Sequence, residues 1–327
     1  MRRLADEAGR FKMIAIDQRT PIFEPLAAVR GSDSPNSDDI AAVKRLLARH
    51  LAPSGSAVLV DPNYGYVPAI LEVPANKGLI LSYEHHVTMP LHGGRTSIPI
   101  PDWDVARIRR IGADAVKLLV WYRADAEPEV RAHQEAFVRA CGEACRRHDI
   151  VFLLEILVYP LEREDPATFK TERTRLVLDS IRPFTAPEYG VDIFKLEPPG
   201  PIHDVPDSES GAATELQANY DRMAAMLPRP WVLLSAGGSG ADFARSLQYA
   251  YRAGASGYLA GRAIWWDAFK LFPDVAAMEL ALRSQSRRYL DDINALTDRF
   301  APGWADWPRF EGIELEAGAD FPKGYAA

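Results

Sequence analysis

Cysteine is nearly absent: the 327 residues hold two, Cys141 and Cys145. They stand four apart on an expected helix, too few for a disulfide framework and without the neighbouring ligands of a metal site, so both are expected to be reduced and partly buried. Long hydrophobic runs are missing as well. No stretch approaches the roughly 20 apolar residues of a membrane span, and the opening MRRLADEAGRFK carries arginines without an apolar signal core. Nor is there an excess of positive charge. The formal net charge is −7, which speaks against a nucleic-acid protein or a polybasic membrane binder. A small anionic substrate stays open, because local basic groups decide that. The expectation is a cytoplasmic protein that binds neither nucleic acid nor membrane.

What is present is an ordinary globular composition, 47% apolar and 25% charged, in a chain long enough to bury a large core without staples. Eight short apolar runs recur: 12–17, 56–61, 78–84, 115–122, 151–159, 192–197, 231–237 and 257–262. Most are continuous rather than alternating, as strands buried on both faces are. Between them, 38–51, 103–111, 128–147, 171–182, 213–227 and 241–253 read as helices, and 274–299 closes the series. Ser37 is the expected N-cap of the first. Segment 62–77, with Pro62, Gly65, Pro68 and Pro74, leaves room only for a short helix. Strand and helix in alternation imply parallel strands with right-handed crossovers. Eight such units favour a closed (β/α)8 TIM barrel of the α/β class, a single domain over 1–327 with an extension from about 300. The extension, with Trp304, Trp307 and Phe310, is expected to pack on the barrel exterior or on a neighbouring subunit of a homo-oligomer.

The polar residues of the apolar runs gather at one place. Asp17, Asp61, Glu84, Glu155, Lys195, Ser235 and Arg262 lie in or at the C-terminal end of a strand run, the end at which barrel active sites are built. Two long Gly- and Pro-rich loops, 85–101 and 198–212, belong to that face and suit substrate walls.

Lys195, inside DIFKLE, is expensive to bury as an ammonium; burial lowers its pKa and yields a nucleophilic amine suited to imine formation. A carboxylate partner such as Glu155 or Glu197 is the structural alternative. Lys117, inside AVKLLVWY, repeats the pattern, and a second cation nearby depresses the pKa of the first. Position alone does not decide which lysine is the nucleophile. Glu155 lies on the strand between them and can serve as general acid or base, as their charge partner, or both. Asp17, Gln18 and Arg19 end the first strand run and Glu84 the third, placed to orient substrate hydroxyls or to balance the lysines. Ser235, Gly237 and Gly238 follow the seventh run, and Gly261 and Arg262 the eighth, where loops form phosphate sites from backbone N–H groups. Arg262 adds a bidentate contact. His85, His86, His92 and His203 occupy the two long loops without ligand spacing. His85 and His86 point apart if extended, so neither metal nor other cofactor is expected.

Seven strings together carry a resemblance: IAIDQR (14–19), AVLVDPNYG (57–65), GADAVKLLVWY (112–122), FLLEI (152–156), GVDIFKLEPP (190–199), LLSAGG (233–238) and AGASGYLAGRAIW (253–265). Over roughly 9–270 the sequence resembles the class I tagatose 1,6-bisphosphate aldolases and the related sulfofructose phosphate aldolases. The resemblance implies a (β/α)8 barrel, Lys195 as the Schiff-base lysine, Glu155 as the proton-transfer glutamate and Lys117 as an auxiliary lysine. Asp17, Gln18, Arg19 and Glu84 fall at further active-site positions. The chain departs from the commoner members in loop 85–101, in the loop after Pro199 and in a longer C-terminal tail, regions that bear on substrate rather than on reaction type.

The implied activity is cleavage of a ketose 1,6-bisphosphate, foremost tagatose 1,6-bisphosphate, to glycerone phosphate and glyceraldehyde 3-phosphate. Lys117 is expected to keep Lys195 neutral by repulsion. The alternative substrate is sulfofructose 1-phosphate, giving sulfolactaldehyde. Other lysine barrels, such as deoxyribose-phosphate aldolase or transaldolase, are rivals within the enzymes. A non-catalytic sugar-phosphate-binding regulatory barrel is the rival of another class.

Overall fold

The computed structural model describes residues 1–211 and 213–308. Ten strands occur there: β1 (Phe11–Ala15), β2 (Ala57–Val60), β3 (Gly78–Ser82), β4 (Met89–Leu91), β5 (Gly94–Thr96), β6 (Ala115–Trp121), β7 (Val151–Leu157), β8 (Ile193–Leu196), β9 (Trp231–Leu233) and β10 (Gly257–Ala260). Eight of them close a barrel in the order β1-β10-β9-β8-β7-β6-β3-β2, every pairing parallel. These are the eight apolar runs of the sequence. The other two, β4 and β5, form an antiparallel hairpin inside the segment 85–101, which is therefore not wholly irregular.

The barrel interior explains where the polar residues go. Side chains alternate across a strand, and one parity of each strand faces the axis. Phe11, Met13, Ala15, Ala57, Leu59, Ile80, Ala115, Leu153, Ile193, Val232 and Leu259 pack there as one buried apolar cluster, closed from below by Leu4. Two residues further along, the same inward parity carries Asp17, Ser82, Lys117, Glu155 and Lys195. An apolar floor and a charged layer above it thus come from one rule of alternation. The opposite parity, including Ile14, Val58, Val116, Leu118, Leu154 and Phe194, joins the larger cluster between barrel and helices.

The helices fall largely where expected, with differences at their ends. The first crossover helix is Ser37–Leu51, but its cap is Asn36, whose side chain accepts from the Asp38 amide, rather than Ser37. The helix expected over 171–182 starts earlier, at Pro166, behind the Asp165 cap. Segment 62–77 contains only Tyr66–Ala69 and a 3-10 turn, Ile70–Glu72. Thr20–Val29 and Arg262–Phe269 are helices the sequence reading passed over. The first contains Pro21 and Pro25, which masked its periodicity. The closing segment divides into Val275–Ala281, a π turn Leu282–Ser286, and Arg287–Phe300.

Trp304 packs against the cluster at the N-terminal end of the barrel, and Trp307 is buried. Phe310 lies outside the described residues. Cys141 and Cys145 are both buried and free. Among the described residues no helix is long and apolar enough to cross a membrane.

Candidate active site

Adjacent strands place Glu155 of β7 directly beside Lys195 of β8, as register partners. Lys117 of β6 pairs with Leu153, one inward position below Glu155. The result is a shared carboxylate: Glu155 Oε2 lies 2.9 Å from Lys195 Nζ and 2.9 Å from Lys117 Nζ. The two lysines are therefore coupled through a carboxylate instead of by bare repulsion, a revision of the sequence expectation. Glu197, the other partner considered for Lys195, turns away to Arg173 and to the Val158 amide.

Lys117 is the hub of the charged layer. Its Nζ donates to Asp17 Oδ2 at 3.1 Å and to Glu84 Oε1 at 2.9 Å, besides its contact with Glu155. Burial works against its charge, but Asp17, Glu155 and Glu84 outweigh that and hold the ammonium well above the usual lysine range. Lys117 is a fixed cation. Glu155 shows the converse. Burial pushes its carboxyl up, while Lys117 and Lys195 pull it below the usual range, so it is a carboxylate at neutral pH. Asp17 is likewise held far below its usual value by Lys117, Lys195 and Arg19 against the effect of burial. Ser82 donates to it at 3.2 Å.

Glu84 is occupied internally. Its carboxylate accepts from Arg19 Nη2 at 2.8 Å, from Lys117 and from the Leu119 amide at 3.0 Å. Arg19 also donates to the Glu84 carbonyl at 2.8 Å. This buried pair braces the first and third strand ends and leaves few polar positions for substrate. Gln18 differs: its side-chain oxygen is buried without a hydrogen-bond partner among the described residues, an unspent acceptor at the mouth.

Two adjoining cavities open over this layer, of about 370 Å³ and about 220 Å³. They share Gln18, Trp121, Glu155, Leu157, Lys195 and Arg262, so Lys195 stands at their junction. Five cationic side chains, Arg19, Arg95, Lys117, Lys195 and Arg262, and three carboxylates, Asp17, Glu84 and Glu155, line the larger one. In a chain of net charge −7, the mouth is locally positive and fits an anion. The smaller cavity reaches the ends of β9 and β10, where Ser235, Ala236, Gly261 and Arg262 line it. Gly261 is required there, since a Cβ would stand 2.4 Å from the Ala15 carbonyl oxygen. Arg262 is largely buried, which lowers its pKa, yet it ion-pairs with no carboxylate among the described residues.

Not every expected residue reaches the cavities. Gly237, at φ +87°, packs beside the Arg262 guanidinium, and Gly238 faces the Ile202 carbonyl. They shape the turn, and Ala236 lines the cavity in their place. Asp61 is drawn off to Lys44 and the Tyr64 amide. His85 and His86 do not point apart. A bend after Glu84 stacks their rings, with centroids 4.5 Å apart. Burial, His85 and Arg19 push the His86 pKa down to about 4, so it is neutral at pH 7. No group of three or more His, Cys, Asp or Glu side chains suited to a metal ion occurs among the described residues. The sequence reading missed Arg95, Trp121 and Leu157 as lining residues; Trp121 and Leu157 sit at the C-terminal ends of strand runs, the position that marked the others. A cavity of about 630 Å³ at the opposite end of the barrel is lined by Met1, Arg146 and Asp192 but by no lysine.

Fold and mouth together define a (β/α)8 enzyme. A model of the DeoC/LacD family aldolases matches residues 11–267. A tagatose 1,6-diphosphate aldolase of Listeria monocytogenes serotype 4a (strain HCC23) is 31% identical over 329 residues, covering 96% of this chain and 96% of its own. Tagatose 1,6-diphosphate aldolase 1 of Streptococcus mutans is 31% identical over 316 residues, covering 94% of this chain and 97% of its own. Among solved structures, an archaeal fructose 1,6-bisphosphate aldolase aligns with TM-score 0.58 at 16% identity, over 90% of this chain and 96% of its own. The Plasmodium falciparum fructose-bisphosphate aldolase aligns with TM-score 0.63 at 15% identity, over 92% and 94%; at such identities the likeness is one of fold. The chain belongs to the DeoC/LacD aldolase family, and as an aldolase it is a carbon–carbon lyase. The likeness also runs past residue 270, beyond the stretch of roughly 9–270 that carries the sequence resemblance, so most of the C-terminal segment is shared with these relatives.

Proposed function

We propose that the chain is a Schiff-base aldolase that cleaves tagatose 1,6-bisphosphate to glycerone phosphate and glyceraldehyde 3-phosphate. The observation that carries this reading is the Lys195–Glu155–Lys117 array at the junction of two cavities, with Glu155 Oε2 2.9 Å from each lysine. The names of relatives near 31% identity supply the substrate.

In this reading Lys195 passes a proton to the Glu155 carboxylate it already touches, and the neutral amine attacks the ketose C2 carbonyl. Loss of water gives an iminium, the electron sink into which the C3–C4 bond pair flows when that bond breaks. Glu155, again a carboxylate, takes the C4 hydroxyl proton as the aldehyde forms. The resulting enamine is protonated at C3, and hydrolysis of the iminium frees glycerone phosphate and Lys195. Lys117 keeps a positive charge beside these steps, which favours the ionised form of Glu155. The C1 phosphate lies in the smaller cavity, against Ser235, the backbone at Gly261 and Arg262. Asp17 positions Lys117, and Gln18 offers its free oxygen to a substrate hydroxyl.

The experiment is turnover on a panel of tagatose 1,6-bisphosphate, fructose 1,6-bisphosphate, sulfofructose 1-phosphate and deoxyribose 5-phosphate. The highest kcat/KM is expected on tagatose 1,6-bisphosphate. Preference for sulfofructose 1-phosphate would replace the substrate and keep the mechanism, preference for deoxyribose 5-phosphate would move the enzyme to another branch of lysine aldolases, and no turnover of any would overturn the reading.

A further inference from the structure

The larger cavity contains an arginine that the reaction just described does not use. Arg95 lies in β5, on the hairpin between β3 and β6, and lines the cavity together with Lys195. Its guanidinium sits in a corner formed by two rings: its centre is 5.2 Å from the centroid of Trp121 and 5.3 Å from that of Tyr159. The rings meet edge to face, with an interplanar angle of 89°. An arginine laid on aromatic faces keeps its charge and its N–H edge while losing much of its rotational freedom.

The hairpin is itself fixed. The Arg95 amide donates to the Tyr159 hydroxyl at 3.0 Å. Gln134 donates to the Arg95 carbonyl at 3.2 Å and to the Trp121 carbonyl at 2.7 Å, and its side-chain oxygen accepts from the Ser97 amide at 2.9 Å. Gly94 lets the strand press close, since a Cβ would come within 2.9 Å of the Tyr159 hydroxyl and of Val130. The same tyrosine and glutamine therefore position both the arginine and one of the rings beneath it. Yet Arg95 forms no ion pair with a carboxylate among the described residues; its hydrogen bonds there are made by its backbone. Arg19, across the same cavity, is consumed by Glu84.

We infer that Arg95 is a specificity-determining residue that binds the terminal oxyanion of the aldehyde half, in the larger cavity and not in the smaller one that Ser235 and Gly261 line. The inference rests on the aldolase reading above. It divides the mouth around Lys195: the smaller cavity takes the phosphate of the glycerone half, and the larger one the anion of the half that leaves as aldehyde. The ligand chemistry is a tetrahedral oxyanion, phosphate or sulfonate, with two oxygens free to accept a paired contact from the guanidinium edge.

The test runs the reaction toward condensation. Glycerone phosphate is the donor in every arm, and the acceptor is glyceraldehyde 3-phosphate or sulfolactaldehyde. Arg95→Ala is expected to raise the KM for the preferred charged acceptor about ten- to a hundredfold, with a smaller change in kcat. Arg95→Lys, which keeps charge but loses the paired edge and the flat stacking, should fall between. Borohydride trapping by glycerone phosphate alone should proceed in both variants within twofold of wild type, which also shows that they are folded. An unchanged acceptor KM in Arg95→Ala, or a loss shared equally by trapping, overturns the assignment. Absence of trapping in the wild-type enzyme would instead break the aldolase reading, so the two failures are distinct. The acceptor whose KM moves more identifies phosphate or sulfonate as the ligand.

Discussion

Lys44 and Asp61 form one buried ion pair beside the barrel mouth, and Lys195 and Glu155 form another within it. Both lysines are almost wholly buried; Asp61 directly follows the end of β2, and Glu155 lies within β7. The first pair is closed. Lys44 donates to Asp61 and to the Ile16 carbonyl at 2.9 Å, Asp61 accepts in addition from the Tyr64 amide at 2.7 Å, and neither residue lines either cavity at the mouth. The second pair is open. Lys195 has Glu155 as its one hydrogen-bonded partner among the described residues, Glu155 is shared with Lys117, and all of them border the larger cavity. A buried lysine facing a carboxylate is thus no mark of a site. The mark is unfilled coordination next to empty volume, with a further charge that keeps the carboxylate ionised.

The comparison can be broken at several points. Lys195→Ala removes the amine and is expected to abolish turnover, whereas Lys44→Met should leave kcat/KM within a few-fold at temperatures where it is folded. Glu155→Gln keeps the shape but not the proton acceptor; a rate loss of about 10²–10⁴-fold is expected in steady-state assays, and near-normal turnover would reduce Glu155 to charge balance. For Lys44→Met the effect should appear in denaturant melts, since removing one member of a buried pair costs about 3–5 kcal/mol. A loss under about 1 kcal/mol would show that the closed pair is not structural in the sense argued.

Arg262→Ala should raise the KM for ketose 1-phosphates more than for the unphosphorylated ketoses, by about tenfold. Equal effects on both would leave Arg262 a structural role.

The smallest effect concerns pH. Asp17 and Glu155 are held below their ordinary values of 3.8 and 4.5, so across that range the unfolded chain binds more protons than the folded one. Their contribution to stability is complete above about pH 5 and drains away as the pH falls through the lowered folded values. Thermal melts between pH 6 and pH 3 should therefore drop less steeply in Asp17→Asn than in wild type. Parallel curves would contradict the charged layer drawn here.

Much of this was legible in the sequence, and the reasons are specific. The eight strands were visible because barrel strands buried on both faces write continuous apolar runs, and Lys117, Glu155 and Lys195 stood out as charges inside them. Their convergence followed from the shared end of the barrel. Pairing was harder to read. That Glu155 faces Lys195 directly and bridges it to Lys117 depends on inter-strand register, which no single strand encodes. The role of Arg95 was hidden because its partners, Trp121 and Tyr159, come from β6 and from just beyond β7, and only a hairpin folded across them brings the three together. Asp61 carried the same signal as Asp17, a carboxylate at a strand end, and was separated from it only by Lys44 reaching in from the helix Ser37–Leu51.

The most direct measurement is the site of covalent capture. Enzyme treated with borohydride in the presence of glycerone phosphate, then digested and analysed by mass spectrometry, is expected to carry the reduced adduct on Lys195 and on neither Lys117 nor Lys44. Capture should disappear in Lys195→Ala and should survive exhaustive chelation by EDTA. An adduct on Lys117 would exchange the roles of the two mouth lysines. An active preparation with no adduct on any lysine would contradict the account.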